Sequence, residues 1–203
     1  MYKYFFKRFI DCTLSVIGLI IFVIPIVIIS ISIKLDSRGP VVFKQKRLGK
    51  DQKIFEIYKF RTMVNHAYEM GGVAKRSDDA RITKVGALLR RTSLDEILQM
   101  VNILKGEMAI IGPRPILPDE FEDYQSNKGY RRRFNALPGI FCTIDVVNRA
   151  PDRDLQFRMD AKYADHVNFL TDFRTFFGVI GVVLSGKDVY MEEADSSNSR
   201  KKK

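Results

Sequence analysis

The sequence predicts a mostly helical α/β fold with one small β-hairpin, attached to an N-terminal helix inserted in a membrane. Three observations carry that prediction. Residues 12–33 form an uncharged apolar run of 22 positions. Two segments on either side of Lys50-Asp51 alternate apolar and polar residues, and apolar side chains recur at helical spacing from Leu94 to Leu104. The 203 residues allow one compact domain plus an appendage. A composition of 46% hydrophobic and 29% charged residues excludes wholesale disorder and low-complexity fibre.

The uncharged run reads CTLSVIGLIIFVIPIVIISISI, and about 20 helical residues cross the hydrocarbon core. It lacks the small-x-small cleavage site of a signal peptide, so it is expected to be retained. Lys3, Lys7 and Arg8 precede it, whereas Lys34, Arg38, Lys44, Lys46 and Arg47 follow it. Positive charge on both flanks assigns no orientation. Pro25, preceded by Ile24, stands near the middle, where proline removes a backbone donor and crowds the carbonyl four residues back. Two geometries fit such a break. One is a kinked span; the other is a re-entrant helix-break-helix that returns both basic flanks to one face. Sequence physics alone favours the span, because re-entrant segments are rarer.

After Lys34 no repeat or Pro/Gly/Ser-rich linker intervenes, which places a single domain directly behind the membrane segment. Gly39-Pro40 opens a turn, and VVFKQKRLG and KIFEIYKF then form the hairpin. Residues 66–80, polar and containing Gly71-Gly72 and Asp78-Asp79, read as a loop, followed by a short helix from Ile82 to Leu89. From Ser93 a clearer helix begins, with Leu94, Ile97, Leu98, Val101 and Leu104 on one face and Gly106 as its stop. The stretch IIGPRPILP is rigid and extended, since prolines restrict themselves and their predecessors. Residues 119–134 form a polar helix ending in Arg131-Arg132-Arg133, a solvated face, and Pro138-Gly139 marks a turn. Phe169, Phe173, Phe176, Phe177, Ile180 and Leu184 form a stripe that suits either a core helix or an amphipathic helix in the membrane interface. The tail SSNSRKKK reads as disordered, with a basic end suited to anionic lipid.

With 34 Lys+Arg against 24 Asp+Glu, the net charge of +10 calls for an anionic partner: nucleic acid, an acidic membrane surface or a phosphorylated small molecule. No element for reading nucleic acid is recognisable, and no Walker loop, dinucleotide fingerprint or Ser/His/Asp signature occurs. Cys12 and Cys142 cannot build a disulfide scaffold and have no zinc spacing, which points to a reducing compartment. His66 and His166 lie in polar surroundings and read as surface residues.

The densest chemistry is Arg90-Arg91-Thr92-Ser93-Leu94-Asp95-Glu96. Its bland explanation is a capping box, with Ser93 as N-cap and Glu96 at the third helical position. Its functional explanation is that adjacent carboxylates at a helix start hold Mg²⁺ or attack phosphorus, since magnesium takes one or two carboxylates and fills its shell with phosphate and water. Arg90, Arg91 and Arg114 are then suitable donors to phosphate oxygens. In Gly112-Pro113-Arg114-Pro115, the prolines on either side restrict the backbone of Arg114.

In order along the chain stand Lys7-Arg8-Phe9-Ile10-Asp11, Gly39-Pro40, Phe43, Gln45, Arg47 and Gly49. Lys59-Phe60-Arg61-Thr62-Met63, Arg81-Ile82-Thr83, Gly86, Leu89-Arg90 and Ser93-Leu94-Asp95-Glu96 follow. Asn102, Gly106-Glu107-Met108, Gly112-Pro113-Arg114-Pro115 and Pro138-Gly139-Ile140 complete the series. Through these residues the chain resembles the bacterial sugar transferase family, the small monotopic phosphoglycosyl transferases.

The resemblance implies a re-entrant membrane helix over residues 1–35 and a catalytic domain with interfacial amphipathic helices over 36–190, leaving 191–203 as a basic tail. It implies transfer of a sugar phosphate from a UDP-sugar to polyprenyl (undecaprenyl) phosphate, with UMP released and Mg²⁺ required, at the cytoplasmic face of a bacterial inner membrane. Asp95 matches the family's nucleophile, which forms a phospho-sugar intermediate, and Glu96 its partner in metal binding or proton transfer. Arg114, with Pro113 and Pro115, matches its phosphate-site element; Arg90, Arg91, Lys59, Arg61 and Arg149 are further phosphate or substrate candidates. Ile24 and Pro25 match its membrane break, although the family usually has Ser before that proline. The family's Gln-Val-Asn-Gly-Arg pattern is also replaced, so that only Val146 and Arg149 keep register. The expected partners are a UDP-sugar, polyprenyl phosphate, phospholipid and downstream glycosyltransferases, and no nucleic acid. The altered 141–149 segment motivates one alternative, a catalytically silent membrane scaffold that binds a nucleotide-sugar.

Overall fold

In the computed structural model, which describes residues 2–67, 69–71, 79–147 and 152–184, the uncharged N-terminal run forms two helices. α1 spans Lys7–Ile21 and α2 spans Val23–Asp36, with a 62° bend between them. Among the described residues no single helix is long and apolar enough to cross a membrane, whereas the bent pair has the length and composition. The break falls at Phe22 (φ −88°, ψ 6°) and not at Ile24-Pro25, as the sequence suggested. Both of those residues lie in the first turn of α2. The displacement has a simple cause: proline cannot bond the carbonyl four residues earlier and crowds it, so the helix yields upstream at Ile21–Phe22. The missing N–H of Pro25 then falls among the first-turn donors that no helix satisfies internally.

Both ends of this bent pair are fastened to one body. On the first helix, Arg8 donates to the carbonyls of Ile103 (2.5 Å) and Leu104 (3.2 Å), and Asp11 accepts from the Ile110 N–H at 3.3 Å. Gly18 packs so closely on Met100 that an added Cβ would lie 2.7 Å from its sulfur. On the second, Ile29 and Ile33 pack against Phe60 and Leu89, and Asp36 accepts from the Val85 N–H at 2.9 Å. The intervening residues Ile17, Ile20, Ile21, Val23, Ile24, Val27, Ile28 and Ile31 are exposed.

The hairpin forms where the alternation placed it. β1 (Val42–Leu48) and β2 (Ile54–Phe60) pair antiparallel, from Val42 opposite Phe60 to Leu48 opposite Ile54. One face of β2 buries Phe55 and Ile57 against Ile103 and Met108. The short helix predicted over 82–89 is α3, Lys84–Thr92, started by the Thr83 side chain accepting from the Gly86 N–H. The helix predicted from Ser93 is divided into a 3₁₀ turn, Leu94–Glu96, and α4, Gln99–Lys105, which Gly106 ends in the left-handed region (φ 84°). Asn102, fully buried, joins α4 to the hairpin. It accepts from the Tyr58 N–H (3.0 Å) and donates to the Glu56 carbonyl and the Glu107 carboxylate (both 2.7 Å).

A second sheet, parallel and unforeseen, pairs β3 (Ala109–Ile111) with β4 (Gly139–Phe141). The predicted helix over 119–134 is instead a 3₁₀ segment, Asp119–Tyr124, then α5, Lys128–Arg131, then a second 3₁₀ turn, Arg132–Asn135. Asn127 interrupts it by capping Gly129 and Tyr130. Arg131 and Arg132 are exposed, but Arg133 is buried over the Phe157 ring at 4.7 Å, so the three arginines are not one solvated face.

α6 (Thr143–Val147) is followed by α7 (Arg153–Asp165) and α8 (Phe169–Leu184). α8 has one buried face and one exposed apolar face. Asp172, Thr175 and Val179 are buried, whereas Phe169, Leu170, Phe173 and Phe177 are exposed. Asp172 accepts from Tyr2, Lys7 and Tyr163 at 2.6–2.7 Å, tying α8 to the start of α1. His66 and His166 are exposed and both cysteines are free, as expected. The basic tail at 191–203 lies outside the described residues. Replacing Asn102 with Ala strands the Tyr58 N–H and the Glu56 carbonyl in the interior. It should cost about 2–4 kcal/mol, read as a fall in thermal midpoint of the detergent-solubilised protein.

Candidate active site

Ser93 has φ 56° and ψ 16°, a left-handed residue that stops α3 and turns the chain into the 3₁₀ turn carrying Asp95 and Glu96. An N-cap requires extended backbone and a side-chain bond to the helix. Ser93 has neither, so the capping box expected there is absent. Glu96 turns to Lys59, whose Nζ lies 2.5 Å from its Oε1. Lys59 reaches it because it shares a face of β2 with Phe55 and Ile57, the face that meets α4. Leu94 and Leu98 on either side of the pair pack into the cluster of Ile29, Ile33, Phe60 and Leu89. The corner is thus held by apolar burial on one side and an ion pair on the other.

The two carboxylates titrate differently. Burial pushes Asp95 up to about 6, the charge of Glu96 adds to the effect, and Lys59 and Arg90 offset part of it. Burial acts on Glu96 too, but Lys59, Arg114 and a hydrogen bond with Gln99 outweigh it and hold Glu96 below the usual carboxylate range. Environments that separate neighbouring carboxylates in this way are how sites assign them different roles.

Arg90 donates to the Thr62 hydroxyl at 2.9 Å, and Arg91 is exposed on the last turn of α3. Gly112-Pro113-Arg114-Pro115 lies at the end of the parallel pair, with the Gly139 N–H donating to the Pro113 carbonyl (2.9 Å) and the Gly112 N–H to Phe141 (3.1 Å). Glycine is required at 112, where a Cβ would stand 2.3 Å from the Leu137 carbonyl oxygen. Pro113 is buried and Pro115 half-buried, leaving Arg114 exposed between them, with its Nη1 2.8 Å from Asp145.

Residues 2–186 match the bacterial sugar transferase family. The chain belongs to that family. It is 36% identical over 193 residues to the galactosyl transferase CpsE of Streptococcus agalactiae, a match covering 89% of this chain and 42% of that one. It is 33% identical over 180 residues to the UDP-glucose:undecaprenyl-phosphate glucose-1-phosphate transferase of Escherichia coli, covering 88% and 39% respectively. A match to the exopolysaccharide production protein PSS of Rhizobium leguminosarum, 32% identical over 185 residues, covers 86% of this chain and 92% of that one. The chain therefore spans less than half the length of the first two relatives and nearly all of the third.

Within this bacterial sugar transferase, Asp95, Glu96, Lys59, Arg90 and Arg114 share one electrostatic environment. Arg61 does not contribute its guanidinium there. It is buried and donates to the carbonyls of Arg38 (2.5 Å), Ser37 (2.7 Å) and Ile33 (3.5 Å), closing the C-terminal end of α2. Free helix-end carbonyls attract a cation strongly, which is why this arginine serves the fold. Arg149 lies outside the described residues.

Three partners went unnoticed in the sequence. Gln99 stands one turn beyond Glu96, a spacing that would have suggested it. Asp145 and Asp160 meet Arg114 only through the tertiary fold. Among the described residues no group of three or more His, Cys, Asp or Glu can hold a metal. Asp95 and Glu96 would be the residues to hold Mg²⁺, which takes one or two carboxylates and completes its shell with phosphate oxygens and water. Removing the lysine in Lys59→Ala should raise both carboxylates, moving Asp95 further above about 6, as followed by carbon-13 NMR of the side-chain carboxyls.

Proposed function

We propose that this chain transfers a sugar phosphate from a UDP-sugar to polyprenyl phosphate, with Asp95 as a covalent nucleophile. The observation that carries the reading is the corner itself, with two carboxylates of separated acidity among Lys59, Arg90 and Arg114. A carboxylate of raised basicity is the better nucleophile once ionised. An Asp95 oxygen attacks the sugar-bearing phosphorus and the bond to the UMP oxygen breaks, leaving an acyl phosphate. The phosphate oxygen of the polyprenyl acceptor then attacks the same phosphorus and frees the carboxylate. Lys59 keeps Glu96 ionised beside it, and Arg90, Arg91 and Arg114 are suited to the negative charge spread over the transferring group. Mg²⁺ bound to Asp95 and Glu96 would neutralise the diphosphate. The relatives' names supply the substrate class: two of them are UDP-glucose:undecaprenyl-phosphate glucose-1-phosphate transferases.

The membrane reading goes with it. A straight span would carry its two ends to opposite sides of a core about 30 Å thick. Here Arg8 and Asp11 at one end, and Ile33 and Asp36 at the other, bind the same body, which favours a re-entrant pair. The exposed Phe5, Phe6 and Phe9 at the start of this pair and Phe169, Phe173 and Phe177 of α8 suit an interface into which the domain is partly sunk. We place that interface on the cytoplasmic face, where UDP-sugars are available.

Asp95→Asn should reduce UMP release by at least about a thousand-fold across a panel of UDP-sugars, and the wild-type protein should yield a phospho-sugar adduct on Asp95 by mass spectrometry. Release without an adduct would indicate direct displacement; neither release nor adduct would favour a binding scaffold. UMP release should also fall as pH drops through about 6, as Asp95 takes up its proton. Cysteines placed at Lys3 and Arg38, in a Cys12→Ser background, should be labelled from the same side of sealed vesicles. Labelling from opposite sides would sink the re-entrant arrangement.

A further inference from the structure

We propose that Asp145 is a positioning residue that holds the Arg114 guanidinium toward the phosphate at the Asp95–Glu96 corner. The inference rests on the reading above, in which Arg114 meets a phosphate. The backbone of Arg114 is fixed from below: its N–H donates to Asp160 at 3.3 Å and its carbonyl accepts from Arg133 at 2.6 Å. Arg133 and Asp160 are themselves an ion pair with side chains only 1% exposed. Pro113 and Pro115 restrict the dihedrals on either side. None of this aims the side chain, which is 44% exposed and long enough to sample many rotamers.

Asp145 supplies the aim. Its Oδ1 accepts from Arg114 Nη1 at 2.8 Å, while its Oδ2 accepts from the Cys142 N–H at 3.0 Å. Asp145 is the third residue of α6, so the second bond is the reach-back half of a capping box, and it stops the carboxylate from swinging with the arginine. The helix-start device that the sequence suggested at Ser93–Glu96 is therefore found here, joined to an ion pair. A carboxylate offers two acceptors and an amide only one. Asparagine at 145 can cap Cys142 or hold Arg114, but not both. Glutamate, the usual capping-box residue, keeps the cap while moving the second oxygen by a methylene.

The test is a double-mutant cycle on the full chain in lipid nanodiscs, with Asp145→Asn, Arg114→Ala and the pair together. UDP binding in the presence of Mg²⁺ is read by calorimetry, and UMP release is read with the UDP-sugar panel. Losing one hydrogen bond to a charged group corresponds to about a ten- to hundred-fold loss. Asp145→Asn should show that loss in UDP affinity with its thermal midpoint close to wild type, and the double variant should bind no more weakly than Arg114→Ala. Asp145→Glu, the second variant in case Asn fails to fold, should also weaken UDP binding. If Asp145 serves only as a cap, Asn and Glu both bind UDP like wild type. If it acts through packing, its loss adds in full to that of Arg114→Ala. Either result overturns the proposal while leaving the transferase reading intact. Wild-type protein that neither binds UDP nor releases UMP would overturn that reading, and this proposal with it.

Discussion

The arrangement depends on one constraint: both ends of a long apolar helix pair are bound to the same small domain. Arg8 takes up the last carbonyls of α4, and Arg61 takes up the carbonyls of Ser37 and Arg38 just beyond α2. Each arginine is held against backbone oxygens at or just beyond the end of a helix. Swinging α2 away would strand the buried Arg61 guanidinium, and swinging α1 away would break both Arg8 bonds, so the 62° bend is held from both ends.

This constraint reaches the site directly. α4, which begins three residues after Glu96, is the helix that α1 packs against at Gly18 and Met100. The cluster beneath Leu94 and Leu98 is built from Ile29 and Ile33 of α2 together with Phe60 of the hairpin. The same hairpin residue has Lys59 as its neighbour, opposite Glu96. The bent helix pair is therefore one wall of the corner that carries Asp95. The shared wall gives that corner a fixed geometry relative to both helices of the pair.

Much of this was legible in the residues. The hairpin followed from alternation and the end of α4 from Gly106, and the order of short motifs singled out Asp95 and Glu96. What failed, failed for identifiable reasons. Ser93-Leu94-Asp95-Glu96 has the spacing of a capping box, but spacing cannot tell that Ser93 is already the left-handed end of the preceding helix. α7 was missed because Gln156 and Asp160 occupy core positions on it, where a periodicity search expects apolar side chains. Arg61 and Arg133 were read by type as phosphate ligand and solvated face. Burial against carbonyls and aromatic rings is a tertiary fact with no local trace.

The net charge of +10 is accordingly less available than it looks. Lys7, Arg8, Arg61 and Arg133 are committed to interior carboxylates or backbone carbonyls. Of the cations near the dyad, Lys59 is paired with Glu96 and Arg114 with Asp145, so the site approaches balance before any ligand arrives. Asp95 is the exception. Its pKa is raised, as for a carboxylate surrounded by protein and facing another negative charge. A group in that condition gains most from a cation or from bonding to an electrophile, because either relieves both burial and repulsion. The same local electrostatics that make Glu96 a stable anion thus leave Asp95 as the more basic member of the pair.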